Sequence, residues 1–213
     1  TPKKKEAPTF EEGFTGRFWR EWVIGRKNKP TEVRSKEIIY RVHLAPVFGA
    51  KRLDAIGDGD VAEFRARLIE TVSRFGRPLS EKRINNILAV LSKPLHYAHK
   101  CKLIDSVPEI GILKVERPEI EAWDFDQYVR ILETARRSHD EPEWYTAVCL
   151  AGEAGLRIGE IKALRWREDV DLIAGTLTVN FQTCNGATTT PKGRTRRTIP
   201  MTTTLAAALR RLD

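Results

Sequence analysis

Apolar residues recur at helical spacing through the first half of the chain. Four aromatic side chains follow one another at every fourth position: Phe10, Phe14, Phe18 and Trp22. Thr9 with Glu12 three residues later has the form of a capping box, in which two side chains satisfy the first backbone amides of a helix. This pattern predicts a helix that begins at Thr9 and ends at Gly25, because glycine commonly terminates helices.

Three more helices are predicted in this half. The second covers residues 31–45, ending before a proline, and the third covers residues 58–75. The fourth begins near Ser80 and carries apolar residues at helical spacing: Ile84, Ile87, Leu88, Leu91, Leu95 and Ala98. Pro94 lies inside this fourth helix, where its missing N–H predicts a kink or a break.

The second half mixes helical and alternating patterns. Three helices are predicted there, from Asp124, from about Glu143 to Ala154, and through Leu164. Residues 176–181 alternate between apolar and polar side chains and residues 197–199 form a second short run, so two strands are predicted. A last helix begins at Thr204, and the chain stops inside it, which favours a truncated domain.

The chain is therefore predicted to be mainly α, with two domains. A polar tail (1–8) precedes a small four-helix bundle (9–104). A linker (105–122) with two prolines and mixed charges leads to an α+β domain with a small antiparallel sheet (123–213).

Charge is distributed unevenly along the chain. The net charge is +8, and residues 1–110 carry 22 Lys and Arg against 14 Asp and Glu. Residues 111–213 carry 15 of each sign, although the stretch from residue 192 onward is basic. A basic half together with a separate basic patch is typical of a protein that lies along a polyanion, so double-stranded DNA is the predicted partner.

Other classes of site are not favoured. The three cysteines, Cys101, Cys149 and Cys184, are odd in number and widely spaced, which is typical of reduced thiols in a cytosolic protein. His96, His99 and Cys101 match no standard zinc spacing, so no metal site is predicted. No apolar run approaches the ~20 residues of a membrane span, so no membrane association is predicted.

Two separated motifs carry the functional information. The first is Ala154-Gly155-Leu156-Arg157-Ile158-Gly159-Glu160, which places an arginine at a helix start and a carboxylate one helical turn later. The second is Pro191-Lys192-Gly193-Arg194-Thr195-Arg196-Arg197, a basic turn ahead of a short strand. In this order, with a strand pattern between them, they resemble the first catalytic box and the lysine β-hairpin of the tyrosine recombinase (phage integrase) family.

The resemblance implies a division of roles. Members of this family cut and rejoin DNA through a 3′-phosphotyrosine link, which conserves the bond energy and needs no cofactor. Arg157 would neutralise the charge that develops on the phosphate oxygens, and Glu160 would hold Arg157 or its helix in place. Lys192 would protonate the departing 5′ oxygen, which an arginine does poorly. Each residue also has an ordinary interpretation, as a helical ion pair or a solvated turn.

The first half resembles the core-binding domain of the same family, a helical fold of the SAM-like type. The similarity lies in His43-Leu44-Ala45-Pro46-Val47-Phe48-Gly49 and in Ile84-Asn85-Asn86-Ile87-Leu88. In that domain the second and fourth helices face the DNA. The resemblance thus suggests DNA contacts by Lys82, Arg83, Asn86 and Lys93, and phosphate contacts by Arg194, Arg196 and Arg197.

The family's remaining catalytic residues have no counterpart in this chain. Its His-x-x-Arg box and its nucleophilic tyrosine follow the lysine hairpin, whereas all four histidines and all four tyrosines here precede Arg157. We therefore expect this chain alone to bind DNA without completing strand transfer. It would be a fragment of a bacterial, cytoplasmic recombinase of a mobile element or phage, which in the family acts as a tetramer on DNA. A naturally truncated regulator of recombination sites stays open as an alternative, and an unrelated transcription factor explains the charge but not the two motifs.

Overall fold

The computed structural model describes residues 6–73, 75–116, 119, 121–191, 193 and 195–212. The chain divides into two compact units, Thr1–Pro118 and Glu119–Asp213. It is mainly helical with small antiparallel sheets, as the sequence predicts. None of the described helices is both long enough and apolar enough to cross a lipid bilayer.

The helices of the first unit follow the apolar pattern. They are α1 (Phe10–Gly13) continued by a π-helical segment (Phe14–Ile24), α2 (Pro30–Ile39) continued by a π-helical segment (Tyr40–Leu44), α3 (Ala45–Phe48), a 3-10 turn (Leu53–Ala55), α4 (Asp58–Glu70) and α5 (Glu81–Lys100). The predicted capping box is present, since the Thr9 and Glu12 side chains each accept a hydrogen bond from the other's backbone N–H. Gly16 has non-helical backbone angles inside the first helical run, so this run has a kink at Gly16.

Two prolines, Pro46 and Pro94, lie inside helical runs of the first unit. The helical run from Pro30 continues past Pro46 to Phe48, because the N–H of Ala45 bonds to the carbonyl five residues back and the register shifts just before the proline. The prediction of a helix boundary before Pro46 was therefore wrong. A break at Pro94, one of the two predicted outcomes, is absent: α5 is one helix from Glu81 to Lys100, and the Pro94 ring is buried within the same apolar face that continues to Ala98.

The third helix is shorter than predicted. It ends at Glu70 rather than at residue 75, and the chain then forms a narrow turn in which Val72 pairs with Pro78. Gly76 has a φ of +72°, a backbone conformation that L side chains rarely adopt. The apolar residues Val72 and Phe75, which the helical period included, are exposed on this turn.

The core of the first unit is aromatic and aliphatic. Its fully buried large side chains come from α1, the two π-helical segments, α3 and α5: Phe10, Phe14, Phe18, Leu44, Phe48, Ile84, Ile87, Leu88, Leu91 and Leu95. The beginning of the predicted linker packs on this core through residues 107–113. Asn85 fixes it by donating to the carbonyl of Leu113 and accepting from its N–H, both at 2.8 Å, and Arg65 donates to the carbonyl of Gly111 at 2.7 Å.

The second unit surrounds a small sheet with helices. In chain order its elements are α6 (Phe125–Arg136), α7 (Glu143–Gly152), α8 (Ile158–Ile161), α9 (Trp166–Asp169), β1 (Val170–Asp171), β2 (Thr176–Val179), β3 (Gln182–Cys184), β4 (Ala187–Thr189), β5 (Arg197–Pro200) and α10 (Thr203–Arg210). Helix α6 begins after Asp124, as predicted, and the structure shows a capping box formed by Asp124 and Gln127. Leu177 and Val179 of β2 are buried together with Cys149 and Leu205, and so form the centre of the core.

The strands form two antiparallel sheets. In the first, β2 lies between β1 and β5, with Leu177 opposite Ile199 and Val179 opposite Arg197. In the second, β3 pairs with β4 through a two-residue turn, Asn185-Gly186, in which both φ angles are positive. That turn chemistry favours tight hairpins, and the hairpin was missing from the sequence prediction although its Asn-Gly signal is present.

Candidate functional site

Arg157 is held at the start of α8 with its side chain toward solvent. The chain leaves α7 through Gly155, whose φ is +62°, and the buried Leu156 anchors the turn by donating its N–H to the carbonyl of Leu150 at 3.1 Å. Arg157 then takes an extended conformation as the residue that caps α8. Its side chain is 62% exposed, so a well-anchored backbone presents a cation at the surface.

Glu160 lies one helical turn further and is buried. Its side chain is 0% exposed, and its carboxylate accepts a hydrogen bond from the backbone N–H of Arg157 at 2.9 Å. The Arg157 Nη1 group donates to the other carboxylate oxygen at 3.3 Å. Glu160 therefore contacts both the backbone and the side chain of Arg157.

Arg197 on β5 completes this cluster. Its Nη1 and Nη2 groups donate to the two oxygens of Glu160 at 3.0 and 2.7 Å, a bidentate pair between residues 37 positions apart. Sequence reasoning assigned Arg197 to phosphate contacts, but the structure directs both terminal nitrogens to Glu160. The pairing was not predictable from spacing, because it depends on β5 lying beside α8.

The cluster is an ionised one. Hydrogen bonds from Arg197 lower the pKa of Glu160 to about 2 against the opposing effect of burial, with further help from the backbone N–H of Arg157. The same pair raises the pKa of Arg197. One buried negative charge is thus shared between two cations, and the cluster of Arg157, Glu160 and Arg197 keeps a net charge of +1.

The β3–β4 hairpin packs directly on α8. A Cβ atom built on Gly159 would lie 2.9 Å from the carbonyl oxygen of Thr183, so only glycine lets the helix and the strand approach this closely. The hairpin leads to the buried Pro191 and then to the basic turn. Lys192 and Arg194 lie outside the described residues. Within the described part of the turn, Thr195 donates its hydroxyl hydrogen to the carbonyl of Gly193 at 3.1 Å.

A second buried carboxylate stabilises the segment after α8. The side chain of Asp169 is 1% exposed and accepts from Arg165 Nε and Nη2, both at 3.0 Å, and from the Asn180 amide at 2.6 Å. Burial raises the pKa of Asp169, but the hydrogen bonds from Arg165 and Asn180 outweigh it and the net shift is downward. This cluster ties α9 to the end of β2 and so fixes the sheet that carries Arg197.

Helix α5 of the first unit presents an exposed stripe in which every side chain except that of Ala89 is basic or polar. Six exposed residues share one face at intervals of three and four: Lys82, Asn86, Ala89, Lys93, His96 and Lys100. The stripe contains no carboxylate and spans about 27 Å along the helix, at ~1.5 Å per residue. Lys82, Lys93 and Lys100 form no ion pair with another described residue. Arg83 lies beside this α5 stripe and is half-buried.

The structure thus brings some predicted residues together and keeps others separate. Arg157 and Glu160 are in contact, and Arg197 joins them through Glu160. Arg196 is exposed. The predicted DNA-contacting residues of the first unit all lie on α5, and three of them lie in the α5 stripe: Lys82, Asn86 and Lys93. His96 and Lys100 were not predicted, although helical periodicity places them on the same face.

Sequence comparison matches a protein family and a curated relative. The sequence model of the phage integrase family matches residues 121–212. The ICEBs1 integrase of Bacillus subtilis (strain 168) is 26% identical over 148 residues, which are 68% of this chain and 38% of that protein. The chain therefore spans about two fifths of the length of this curated relative.

Solved structures share the fold at low identity. A Tn1549 transposon integrase in complex with transposon right end DNA has a TM-score of 0.77 at 22% identity, over 96% of this chain and 64% of that one. A lambda integrase tetramer bound to a Holliday junction has a TM-score of 0.63 at 17% identity, over 86% of this chain and 50% of that one. A lambda integrase dimer bound to a COC′ core site has a TM-score of 0.67 at 16% identity, over 92% and 49%.

Proposed function

We propose that the chain belongs to the phage integrase (tyrosine recombinase) family, whose sequence model matches residues 121–212, and that it is part of a site-specific recombinase of a mobile element or phage. Such a protein cuts and rejoins duplex DNA through a 3′-phosphotyrosine link. The observation that carries the proposal is the exposed guanidinium of Arg157 on a backbone fixed by the buried Glu160. A fixed cation at the surface is what a phosphodiester needs when negative charge develops on its oxygens.

In this proposal each residue of the site has one task. Arg157 binds two non-bridging phosphate oxygens, because a planar guanidinium donates in a fork and keeps its proton. Lys192 donates a proton to the departing 5′ oxygen. Glu160 touches no substrate and orients Arg157. No metal or cofactor enters the reaction, since the bond energy is stored in the phosphotyrosine.

The nucleophile is proposed to come from residues outside this chain. Three of the four tyrosines in the chain form hydrogen bonds elsewhere: the hydroxyl of Tyr97 donates to Glu21, that of Tyr128 to Glu153, and that of Tyr145 accepts from Arg136. The Tyr40 oxygen is buried. This supports the expectation that the chain alone binds DNA without cutting it, and that the His-x-x-Arg box and the tyrosine belong to the rest of the recombinase.

Each unit carries its own proposed DNA contacts. In the first unit, which we assign to the core-binding domain of residues 9–104, the α5 stripe and Arg83 contact the phosphate backbone. In the second unit, the proposed contacts are Arg194 and Arg196 of the basic turn. The lack of carboxylates along the α5 stripe supports this, because a nearby acid would repel a phosphate.

The assembly and location follow from the same proposal. A lambda integrase forms a tetramer on a Holliday junction, and we propose that the recombinase containing this chain also self-associates on DNA. We infer the bacterial cytoplasm as its location, since its DNA substrate lies there.

The engaged tyrosines also favour one alternative, a truncated regulator that occupies recombination sites without cutting them.

Two measurements test the proposed function. Duplex DNA should bind this chain with an affinity that falls steeply as salt rises, by ~0.9 in the log–log slope for each neutralised phosphate. Lys93→Ala should reduce that slope by about one, whereas the control Lys51→Ala, at a lysine already paired with Asp60, should change it less. A salt-independent affinity, or no binding at low salt, would contradict the DNA-binding function.

The cutting step needs the longer parent protein. A nicked substrate that traps covalent intermediates should yield a protein–DNA adduct with the parent and none with this chain. An adduct with this chain would mean that one of its own tyrosines is the nucleophile. No adduct with the parent would favour the regulator.

A further inference from the structure

The three charged groups that meet at α8 differ strongly in exposure. The side chain of Glu160 is fully buried, that of Arg197 is 34% exposed and that of Arg157 is 62% exposed. A buried carboxylate needs partners for its oxygens, because an uncompensated charge inside a protein is strongly destabilising. Glu160 therefore attracts whatever cation can reach it.

Of the two arginine side chains, Arg197 makes the stronger contact with the Glu160 carboxylate. It donates to both carboxylate oxygens at 3.0 and 2.7 Å, whereas the Arg157 side chain makes a single contact at 3.3 Å. A guanidinium carries five N–H groups. Among the described residues, Arg157 uses only one of its five on a protein acceptor. Its remaining N–H groups are available to bind a ligand from solution.

We propose that Arg197 is a positioning residue: by saturating the buried carboxylate of Glu160, it leaves the Arg157 guanidinium turned outward to bind a phosphate. The inference rests on the proposed function, in which Arg157 binds the phosphate that is cut. It gives Arg197 a different task from a direct phosphate contact. It also couples β5, which follows the basic turn, to the helix that carries Arg157.

Removal of Arg197 has two expected effects on the site. Glu160 keeps Arg157 as its one cationic partner in this cluster, so the guanidinium of Arg157 turns inward to satisfy the buried charge. The net charge of the cluster falls from +1 to zero. Both effects weaken phosphate binding by Arg157, although Arg197 itself makes no phosphate contact.

A double variant distinguishes a positioning role for Arg197 from a direct phosphate contact. In the parent protein, Arg197→Ala should slow single-turnover cleavage at saturating DNA by ~10²-fold, the loss expected when a binding group is misplaced. Adding Glu160→Gln should restore part of that rate, because a neutral amide no longer draws Arg157 inward while its oxygen can still accept the backbone N–H of Arg157. Arg167→Ala, at an exposed arginine of α9 outside the cluster, is the matched control and should cleave like the wild type.

The outcomes decide between the two roles. A double variant that stays as slow as Arg197→Ala would overturn the inference and make Arg197 a phosphate contact. If Arg197→Ala does not fold, the double variant still decides, because it leaves no unpaired buried charge. Cleavage faster than that of Arg157→Ala then supports positioning, and a loss as deep as that of Arg157→Ala overturns it.

A second readout does not depend on cleavage. In this chain, the Nε–H NMR signal of Arg157 should exchange rapidly with water in the wild type and become protected in Arg197→Ala, as the group turns toward Glu160. An unchanged Arg157 signal would overturn the inference whether or not the parent cuts DNA. Conversely, full cleavage by Arg157→Ala in the parent would overturn the proposed function, while the NMR comparison would still decide what Arg197 does.

Discussion

At the scale of single residues, the ionised state of Glu160 makes stability depend on pH. Its pKa in the folded protein is about 2, below its ordinary value of 4.5, chiefly because Arg197 donates to both oxygens. A group whose pKa is lowered by folding contributes stability that is fully present above 4.5 and is lost as the pH falls toward 2. For a shift of this size the contribution is on the order of 3 kcal/mol.

Glu160→Gln should therefore remove part of the acid sensitivity of the chain. At neutral pH the variant should unfold more easily, because the buried carboxylate no longer pairs with Arg197. The difference should narrow as the pH falls from 4.5 toward 2, since the wild type then loses its own pair. Urea denaturation between pH 2.5 and 7 measures this, and two parallel stability profiles would show that the pair contributes nothing pH-dependent.

The proposed roles of Arg157 and Lys192 differ in a way that sulfur substitution reveals. In the parent protein, either residue changed to Ala should slow strand cleavage by ~10²–10³-fold. A substrate whose leaving 5′ oxygen is replaced by sulfur should restore much of the rate to Lys192→Ala, because a thiolate departs without a proton. It should not restore Arg157→Ala, whose task lies at the non-bridging oxygens.

The control for that comparison is DNA affinity. Both variants should bind the duplex nearly as well as the wild type, since each makes only one of many phosphate contacts. Rescue of both variants, or of neither, would contradict the division of tasks. Equal losses of affinity and cleavage would reduce both residues to ordinary phosphate contacts.

At the scale of elements, the close approach of α8 and β3 is the contact most sensitive to substitution. Gly159→Ala would place a Cβ atom 2.9 Å from the carbonyl oxygen of Thr183, so the helix that carries Arg157 must shift. We expect a loss of about 1–3 kcal/mol in unfolding free energy, typical of overpacking. The matched control is Gly59→Ala on the exposed first turn of α4, where nothing lies within 4 Å of the added atom and stability should be unchanged or higher by up to ~1 kcal/mol.

Calorimetric unfolding of the two variants checks this prediction. The parent carrying Gly159→Ala should also cleave more slowly, because Arg157 moves with its helix. A Gly159→Ala chain as stable as the wild type would mean that α8 and β3 do not approach as closely as the structure shows.

Local sequence signals predicted the helices well where residues close together in the sequence determine the structure. The capping box at Thr9, the helix start at Asp124 and the start of α5 after Ser80 involve neighbours three residues apart, and all three were confirmed. The apolar stripe of α5 was confirmed because helical burial repeats regularly. The Asn185-Gly186 hairpin was overlooked, although the same kind of local rule identifies it.

Features that depend on packing could not be predicted in this way. Whether Pro94 breaks α5 depends on a balance between one lost backbone hydrogen bond and the continued burial of Leu91 and Leu95, which only the folded core decides. The register shift before Pro46 is also a tertiary feature. The same holds at the site: the sequence pattern predicted that Glu160 supports Arg157 but not that Arg197 pairs with it, because that contact joins a helix to a distant strand.

At the scale of the whole molecule, each unit has a core built from its own residues. The buried cluster around Leu91 contains residues of the first unit, and the cluster around Leu177 contains residues of the second. Both leucines are 0% exposed, so truncation to alanine should cost about 2–5 kcal/mol at either position. Since the two cores share no buried residue, each substitution should act mainly on its own unit.

Hydrogen exchange measured by mass spectrometry tests that separation directly. Leu177→Ala should speed exchange in α7, β2 and α10 while the amides of α5 keep their protection, and Leu91→Ala should do the reverse. The two variants serve as controls for each other, because the chemical change and the burial are the same. Loss of protection in both units from either substitution would mean that they unfold as one. It would also mean that unfolding of either unit disrupts both the proposed DNA-contacting stripe on α5 and the Arg157 cluster.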